Sequence, residues 1–206
     1  MSLGTPGRFV VLEGSDGSGK STQAARLVRA LAARGHDVQA TFEPGATELG
    51  RSLRAVLLGP AAAPTPRAEA LLMAADRAQH VDTVVRPALA AGRWVVSDRF
   101  VGSSLAYQGS ARGLGVEAVA EVNAFATGGL EPDLVVYLSA PAEVLAGRRR
   151  GPADRIEGEG EAFLASVVDA YERLATSLGW AVVDARAGAD DVERAVWAVV
   201  DRVLAP

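Results

Sequence analysis

The chain has 206 residues, 49% of them hydrophobic, and a formal net charge of −4. That is domain-sized with ample material for a core, and it lacks the surplus positive charge that a general nucleic-acid binder or polybasic membrane-surface protein needs. Cysteine is absent and histidine occurs twice, which excludes disulfides, thiolate zinc sites, cysteine nucleophiles and a His-rich metal centre. No apolar run approaches the ~18 residues of a membrane span. Met1 to Arg8 has no signal-peptide pattern. The expectation is one cytoplasmic domain, 1–206.

Phe9 to Leu12 is a short continuous apolar run, which predicts a strand buried on both faces and ended by a Gly/Ser-rich turn. Ala24, Leu27, Val28 and Leu31 recur at helical spacing, so Ser21 to Arg34 reads as a helix stopped by Gly35. Val38 to Phe42 is a second strand, stopped by Pro44-Gly45. Leu49 to Leu58 is a short helix and Gly59 to Pro66 a loop. Arg67 to Ala91 predicts a long helix bent near Pro87, where an amide is missing. Trp94 to Ser97 is a third strand, Val116 to Ala126 a helix, Leu134 to Leu138 a fourth strand and Glu143 to Arg150 a helix. Arg150 to Glu161 is polar and Gly-rich. Phe163, Val167, Tyr171, Leu174 and Leu178 stripe a helix, Ala181 to Val183 is a fifth strand, and Val192, Val196, Val199 and Val203 stripe the last helix. Strands alternating with helices predict an α/β fold with a five-stranded parallel sheet covered on both faces.

The strand-to-helix turn at the start carries the strongest motif. Gly14-Ser15-Asp16-Gly17-Ser18-Gly19-Lys20-Ser21 matches G-x-x-x-x-G-K-[ST]. Glycines let the backbone amides turn inward on a phosphate, and the following helix N-terminus adds partial positive charge. Lys20, the chain's single lysine, would reach the β- and γ-phosphates, and the Ser21 hydroxyl would hold Mg²⁺. An ordinary Gly-rich turn is the bland reading, and chance matches are rare. ATP or GTP binding is implied; the acceptor is not.

Further segments bear on the acceptor. They are Leu12-Glu13-Gly14 through Thr22, Glu43-Pro44-Gly45 with Thr47 and Leu49-Gly50, Ala74-Ala75-Asp76-Arg77, Ser97-Asp98-Arg99-Phe100, Ser103 through Gly109, Pro132-Asp133-Leu134, and Asp154-Arg155-Ile156-Glu157. In order and spacing these resemble the thymidylate kinase family over most of the chain. The resemblance implies a P-loop, nucleoside monophosphate kinase-like fold, ATP and dTMP as substrates, Mg²⁺ as cofactor and a homodimer.

Residue by residue, Asp98 ends a buried strand, where a magnesium-shell carboxylate sits; a helix N-cap is the lesser alternative. Arg99 could clamp the acceptor phosphate with its planar fork, and the resemblance implies that role, with Asp16 near the sugar 3′-hydroxyl. Arg54 and Arg77 are candidates for facing phosphate or base, although lone helix arginines are commonly solvated. Ser103, Ser104, Tyr107 and Gln108 can offer hydroxyl, amide and ring edges to a pyrimidine nucleotide, or simply begin a polar helix. The resemblance adds Glu43 and Met73 to the acceptor side, and Ser15, Ser18, Gly19, Thr22 and Arg155 to the ATP side. Arg148-Arg149-Arg150 suits a helix C-terminus, or else opens a lid at about 148–161. Family members take the catalytic arginine from the P-loop or the lid. Gly17 stands at the P-loop position where some have Arg, so alignment back from Asp154 points to Arg150 first and Arg148 second. Three departures stand out: Met73 where an aromatic is usual, Phe42 where bacterial members have Arg, and Ala46 for a second glycine.

The expected reaction is MgATP + dTMP → ADP + dTDP, with Lys20, Mg²⁺ and lid arginines neutralising charge in an in-line transfer. Two rivals remain at this level. A deoxynucleoside kinase, or a kinase for another pyrimidine monophosphate, could use the same loop; the former needs a carboxylate base such as Glu43. A nucleotide-binding regulator without catalysis is the other.

Overall fold

The computed structural model describes residues 7–59, 63–148 and 154–204. Arg150, the first expectation for the catalytic arginine, lies outside the described residues, as does the Val203 side chain.

The alternating pattern produces the predicted sheet. β1 (Phe9–Glu13), β2 (Val38–Phe42), β3 (Trp94–Asp98), β4 (Leu134–Ser139) and β5 (Ala181–Asp184) form one sheet in the order β2-β3-β1-β4-β5. All four pairings are parallel. β1 is central and wholly buried, which is why it reads as an unbroken apolar run, whereas β2 and β5 are edges and only partly covered. The side chains of β1 divide between the faces. Val10 and Leu12 join Leu27, Leu31, Val192 and Val196 on one side, and Phe9 and Val11 join Val81, Val85 and Phe100 on the other.

On the first side lie α1 (Lys20–Ala33) and α9 (Ala189–Leu204), packed together. Val192, Val196 and Val200 of α9 are all buried; each such valine contributes roughly 1.5–3 kcal/mol by leaving water. α8 (Glu161–Leu178) serves two clusters. Leu164 and Val168 face the sheet core, while Val167, Tyr171 and Leu174 face a second cluster with Leu105, Tyr107 and Ile156.

On the second side, α2 (Glu48–Leu58), α3 (Pro66–His80) and α6 (Val116–Thr127) pack in a row. The bend expected at Pro87 takes a specific form. α3 passes through a π-helical turn, Val81–Val85, into α4 (Arg86–Ala90), and the Arg86 amide donates to the Val81 carbonyl one residue further back than in an α-helix. α5 (Val101–Ser104) runs into a second π-helical stretch, Leu105–Ala111. α7 (Ala142–Arg148) comes after β4. No helix of the described residues is long and apolar enough to cross a membrane.

The order of the strands sets where a ligand can bind. The chain leaves β1 for β2, returns to β3 beside β1, and then crosses to β4. Ligands of such sheets bind at the carboxyl ends of the strands where the winding changes direction. Leu12 is paired with Asp98 there, so the phosphate loop and the Asp98-Arg99 pair emerge side by side.

Candidate functional site

Beyond Glu13 the backbone turns through Gly14, Gly17 and Gly19, with φ of 147°, 87° and 90°. At Gly17 a glycine is required twice over: φ is positive, and a Cβ would stand 2.7 Å from the Leu145 carbonyl oxygen. Gly19 caps α1 in the left-handed region, which puts Lys20 at the first helical position. The Lys20 ammonium is buried and donates to the Ser15 carbonyl at 3.0 Å, across its own loop. Burial, then the nearby Arg99, brings it down to about 8 against the pull of Asp16. Ser15 Oγ and Ser18 Oγ are buried without a hydrogen-bond partner, so two hydroxyls stand ready in this cradle.

Ser21 donates to Asp98 Oδ2 at 2.5 Å, while Asp98 Oδ1 is buried and unpartnered. Asp98 is therefore not a helix cap. The amides of Phe100 and Ser103, at the start of α5, donate instead to Glu13 Oε1 at 2.9 and 3.0 Å. Glu13 Oε2 accepts from the Ser103 and Tyr171 hydroxyls at 2.7 and 3.0 Å. Burial pushes this carboxyl above its ordinary range, with these donors working against the shift. Among the described residues no cluster of three His, Cys, Asp or Glu is placed to hold a metal. The Ser21–Asp98 pair, with its orphaned oxygen, fits a hard cation that phosphate oxygens also hold.

Arg99 is held from every side. Its backbone lies at φ 76°, a conformation that a non-glycine residue adopts only when its surroundings over-determine it. Its amide donates to the Leu12 carbonyl at 3.0 Å and its carbonyl accepts from Ser97 Oγ at 2.7 Å. The guanidinium donates to the Gly14 carbonyl, Ser103 Oγ, Tyr171 and, at 2.5 Å, Asp16 Oδ1. Tyr107 donates to the other Asp16 oxygen at 3.0 Å. Burial opposes a charge on Asp16, but Arg99 and Lys20 together hold its carboxyl well below the ordinary range.

A pocket of about 610 Å³, open mouth included, opens beside Asp16 and Arg99. Glu43, Arg54, Met73, Arg77, Ser103, Ser104, Tyr107 and Gln108 line it, so the sequence candidates for the acceptor are brought together. Asp16, Glu43, Arg54 and Arg99 also line the neighbouring hollow that holds Lys20, Ser21 and Asp98, and these four residues form the boundary between the two. Phe42 lies on that second hollow, half exposed.

Met73, Asp76 and Arg77 of the pocket wall belong to a longer polar stripe along α3 that apolar spacing in the sequence does not pick out. Glu69, Met73, Asp76, Arg77 and His80 recur at helical spacing on its inner face, and all but Met73 are buried. Arg77 is not solvated: Nε donates to Glu43 Oε2 at 2.8 Å, and its other donors go to Ser104, Asn123 and the Phe100 carbonyl. The other Glu43 oxygen lies 2.7 Å from His80 Nδ1, whose Nε2 is 2.6 Å from Thr41 Oγ1. Asp76 accepts from the Gly45 amide, and burial, then Glu43, raises its carboxyl. Arg54 crosses over Gly45 to the Pro44 carbonyl at 2.8 Å. Helical spacing backward from Arg77 was the signal available for the missed residues.

Two arginines expected near ATP have protein partners in this structure. Arg148 ends α7 and donates to the carbonyls of Ala185 and Arg186, after β5. Arg155 donates to the Leu57 carbonyl and, in a charge-assisted hydrogen bond, to the buried Glu69 carboxylate. Thr22 continues the first turn of α1 behind Ser21.

A family model described as thymidylate kinase matches residues 12–196. Similar proteins named thymidylate kinase include one from Synechococcus sp. (strain CC9902), 52% identical in an alignment covering 87% of this chain and 90% of that protein. Another, from Synechococcus sp. (strain CC9605), is 47% identical in an alignment covering 96% of this chain and 97% of that protein. A third, from Rhizorhabdus wittichii, is 49% identical over 175 residues, covering 82% and 84%. A phosphate loop sharing a boundary of four side chains with the neighbouring pocket is thus accounted for by descent: the chain belongs to the thymidylate kinase family.

Proposed function

We propose that the protein, working as one P-loop kinase domain, transfers the γ-phosphoryl group of ATP to dTMP, giving ADP and dTDP for dTTP synthesis. The observation that carries this reading is the Asp16–Arg99 pair between the phosphate loop and the acceptor pocket. A guanidinium at that boundary supports a meeting there of the acceptor's phosphate with the γ-phosphate.

In the forward reaction the loop amides and Lys20 take the ATP phosphates. Arg99 clamps the acceptor phosphate with its fork, and Asp16, Tyr107 and Ser103 surround the sugar. Met73, Ser104, Gln108 and Arg77 line the base end. The attacking oxygen belongs to a phosphate already ionised at neutral pH, so no side chain has to remove a proton. Ser21 and Asp98 would hold Mg²⁺, which would supply charge neutralisation at the ATP phosphates. Arg150 remains the residue proposed to reach the transferring group.

The deoxynucleoside-kinase rival needs Glu43 as a base, and both Glu43 oxygens are engaged, by Arg77 and His80. The test is ADP release with dTMP, thymidine and dUMP offered in parallel. Turnover with dTMP far above the other two is expected; turnover with thymidine alone, or with none, overturns the reading.

A homodimer is part of the proposal. Leu49 and Val56 on α2, Leu71 on α3 and Phe125 on α6 are exposed apolar side chains on three helices that pack in a row, and Phe125 is 92% exposed. Such a face fits a second copy of the chain. The substrates are cytoplasmic nucleotides, and the reading places the enzyme with them.

A further inference from the structure

Glu69 does not line the acceptor pocket, yet two parts of the pocket wall are attached to it. Its side chain is 1% exposed, at the N-terminal turn of α3, where the helix dipole favours a carboxylate. Oε1 accepts from Gln108 Nε2 at 2.8 Å, and Oε2 accepts from Arg155 at 2.5 Å. Arg112 donates more weakly to both oxygens, at 3.4 and 3.3 Å, and pairs with Glu159 at 2.7 Å. Burial opposes the charge on Glu69, but the Gln108 and Arg155 hydrogen bonds and the two guanidinium groups hold its carboxyl below the ordinary range.

Each link has a consequence in the pocket. An ionised carboxylate only accepts hydrogen bonds, so it takes the NH₂ end of the Gln108 amide and leaves the Oε1 end for the pocket. Arg155 is pinned at Nε by the Leu57 carbonyl, and its own amide donates to the Leu58 carbonyl at 3.3 Å. The residues on either side of it, Asp154 and Ile156, line the pocket. Asp154 accepts from the amides of Ile156 and Glu157, both at 2.9 Å, so this short segment moves as a unit with Arg155.

We propose that Glu69 is a positioning residue for the acceptor: its buried carboxylate fixes the amide orientation of Gln108 and, through Arg155, the Asp154–Ile156 edge of the pocket. The proposal rests on the reading of this pocket as the dTMP site and adds a residue that acts on acceptor binding without touching the acceptor. It also separates Arg155 from the ATP side.

Glu69→Gln, Arg155→Ala and the double variant test it in the full-length protein. KM for dTMP is measured at saturating ATP, KM for ATP at saturating dTMP, and melting temperature alongside. Each single substitution is expected to raise KM for dTMP about tenfold while KM for ATP stays within about twofold. The double variant is expected to stay within about threefold of the worse single one, since both break the same link. A structural role alone lowers the melting temperature and leaves both KM values at wild type, which overturns the proposal. Independent effects multiplying to about a hundredfold, or an Arg155→Ala effect confined to KM for ATP, also overturn it. If Glu69→Gln does not fold, Arg155→Ala decides alone, because it leaves Gln108 and Arg112 on Glu69. Wild type that fails to phosphorylate dTMP overturns the acceptor reading and this proposal together; wild type that does so, with both variants unchanged in KM, overturns this proposal only.

Discussion

Lys20 is the single lysine among 21 basic residues, and its burial has a measurable consequence. Its folded pKa of about 8 lies below the ordinary 10.5, so below pH 8 the folded protein carries a charge that the unfolded chain holds at less cost. That cost fades as pH rises from about 8 towards 10.5, because the unfolded state then binds more protons than the folded one. Without nucleotide, Lys20→Met is therefore expected to melt above wild type at pH 7, with the gap narrowing at alkaline pH. Paired calorimetric scans check this, and a gap that ignores pH would count against the burial argument. Arg99 makes a different demand, for shape. Arg99→Lys keeps a charge but loses the planar fork, so kcat/KM for dTMP is expected to fall by about 10²–10³-fold. ATP affinity, measured by titration, should change little.

Elements set these side chains in place, and their constraints can be tested separately. Gly17→Ala forces a Cβ into a positive φ and against the Leu145 carbonyl at 2.7 Å. A cost of about 1–3 kcal/mol is expected, together with loss of the ATP-induced rise in melting temperature; an unchanged ATP response would refute the steric argument. Tyr171 joins α8 to β1 and α5 by donating to buried Glu13 at 3.0 Å. Tyr171→Phe removes that donor and is expected to cost about 1–3 kcal/mol in urea unfolding. The helices themselves were largely legible in the chain: apolar spacing marked α1, α8 and α9, whose inner faces bury Leu27, Leu31, Val167, Tyr171 and Val196. The stripe on α3 was not, since apolar periodicity is blind to a buried face made of Glu69, Asp76, Arg77 and His80. Nor does sequence spacing announce the π-helical stretch Leu105–Ala111, which turns both Tyr107 and Gln108 inward.

At the scale of the molecule, three neighbouring helices leave apolar side chains in water, with Phe125 92% exposed. If a second copy covers this face, Phe125→Asp should convert a dimer to monomer in sedimentation velocity while leaving the melting curve of the monomer near wild type. A wild type already monomeric at micromolar concentration would remove the dimer from the reading. The same scale explains the negative net charge. Among the described residues the arginines are mostly on the outside or in surface pairs such as Arg26 with Asp190 and Glu193. Positive charge is concentrated by folding, where Lys20 and Arg99 meet beneath the phosphate loop.

By itself the sequence determined the alternating α/β order, the phosphate loop and, through its resemblance, the acceptor class. These depend on residues close together in the chain, where glycine conformations, apolar runs and fixed spacings carry the information. Only the tertiary structure decided what each charged side chain faces. Asp98 turned out to face Ser21 rather than cap a helix, Arg77 to spend its donors on Glu43, Ser104, Asn123 and Phe100, and Arg155 to join Glu69. Such partners are brought together from distant positions by the packing of α3, α5 and α6 on the sheet. A buried charge takes whichever opposite charge or donor that packing brings within reach, and no local pattern encodes which one it will be.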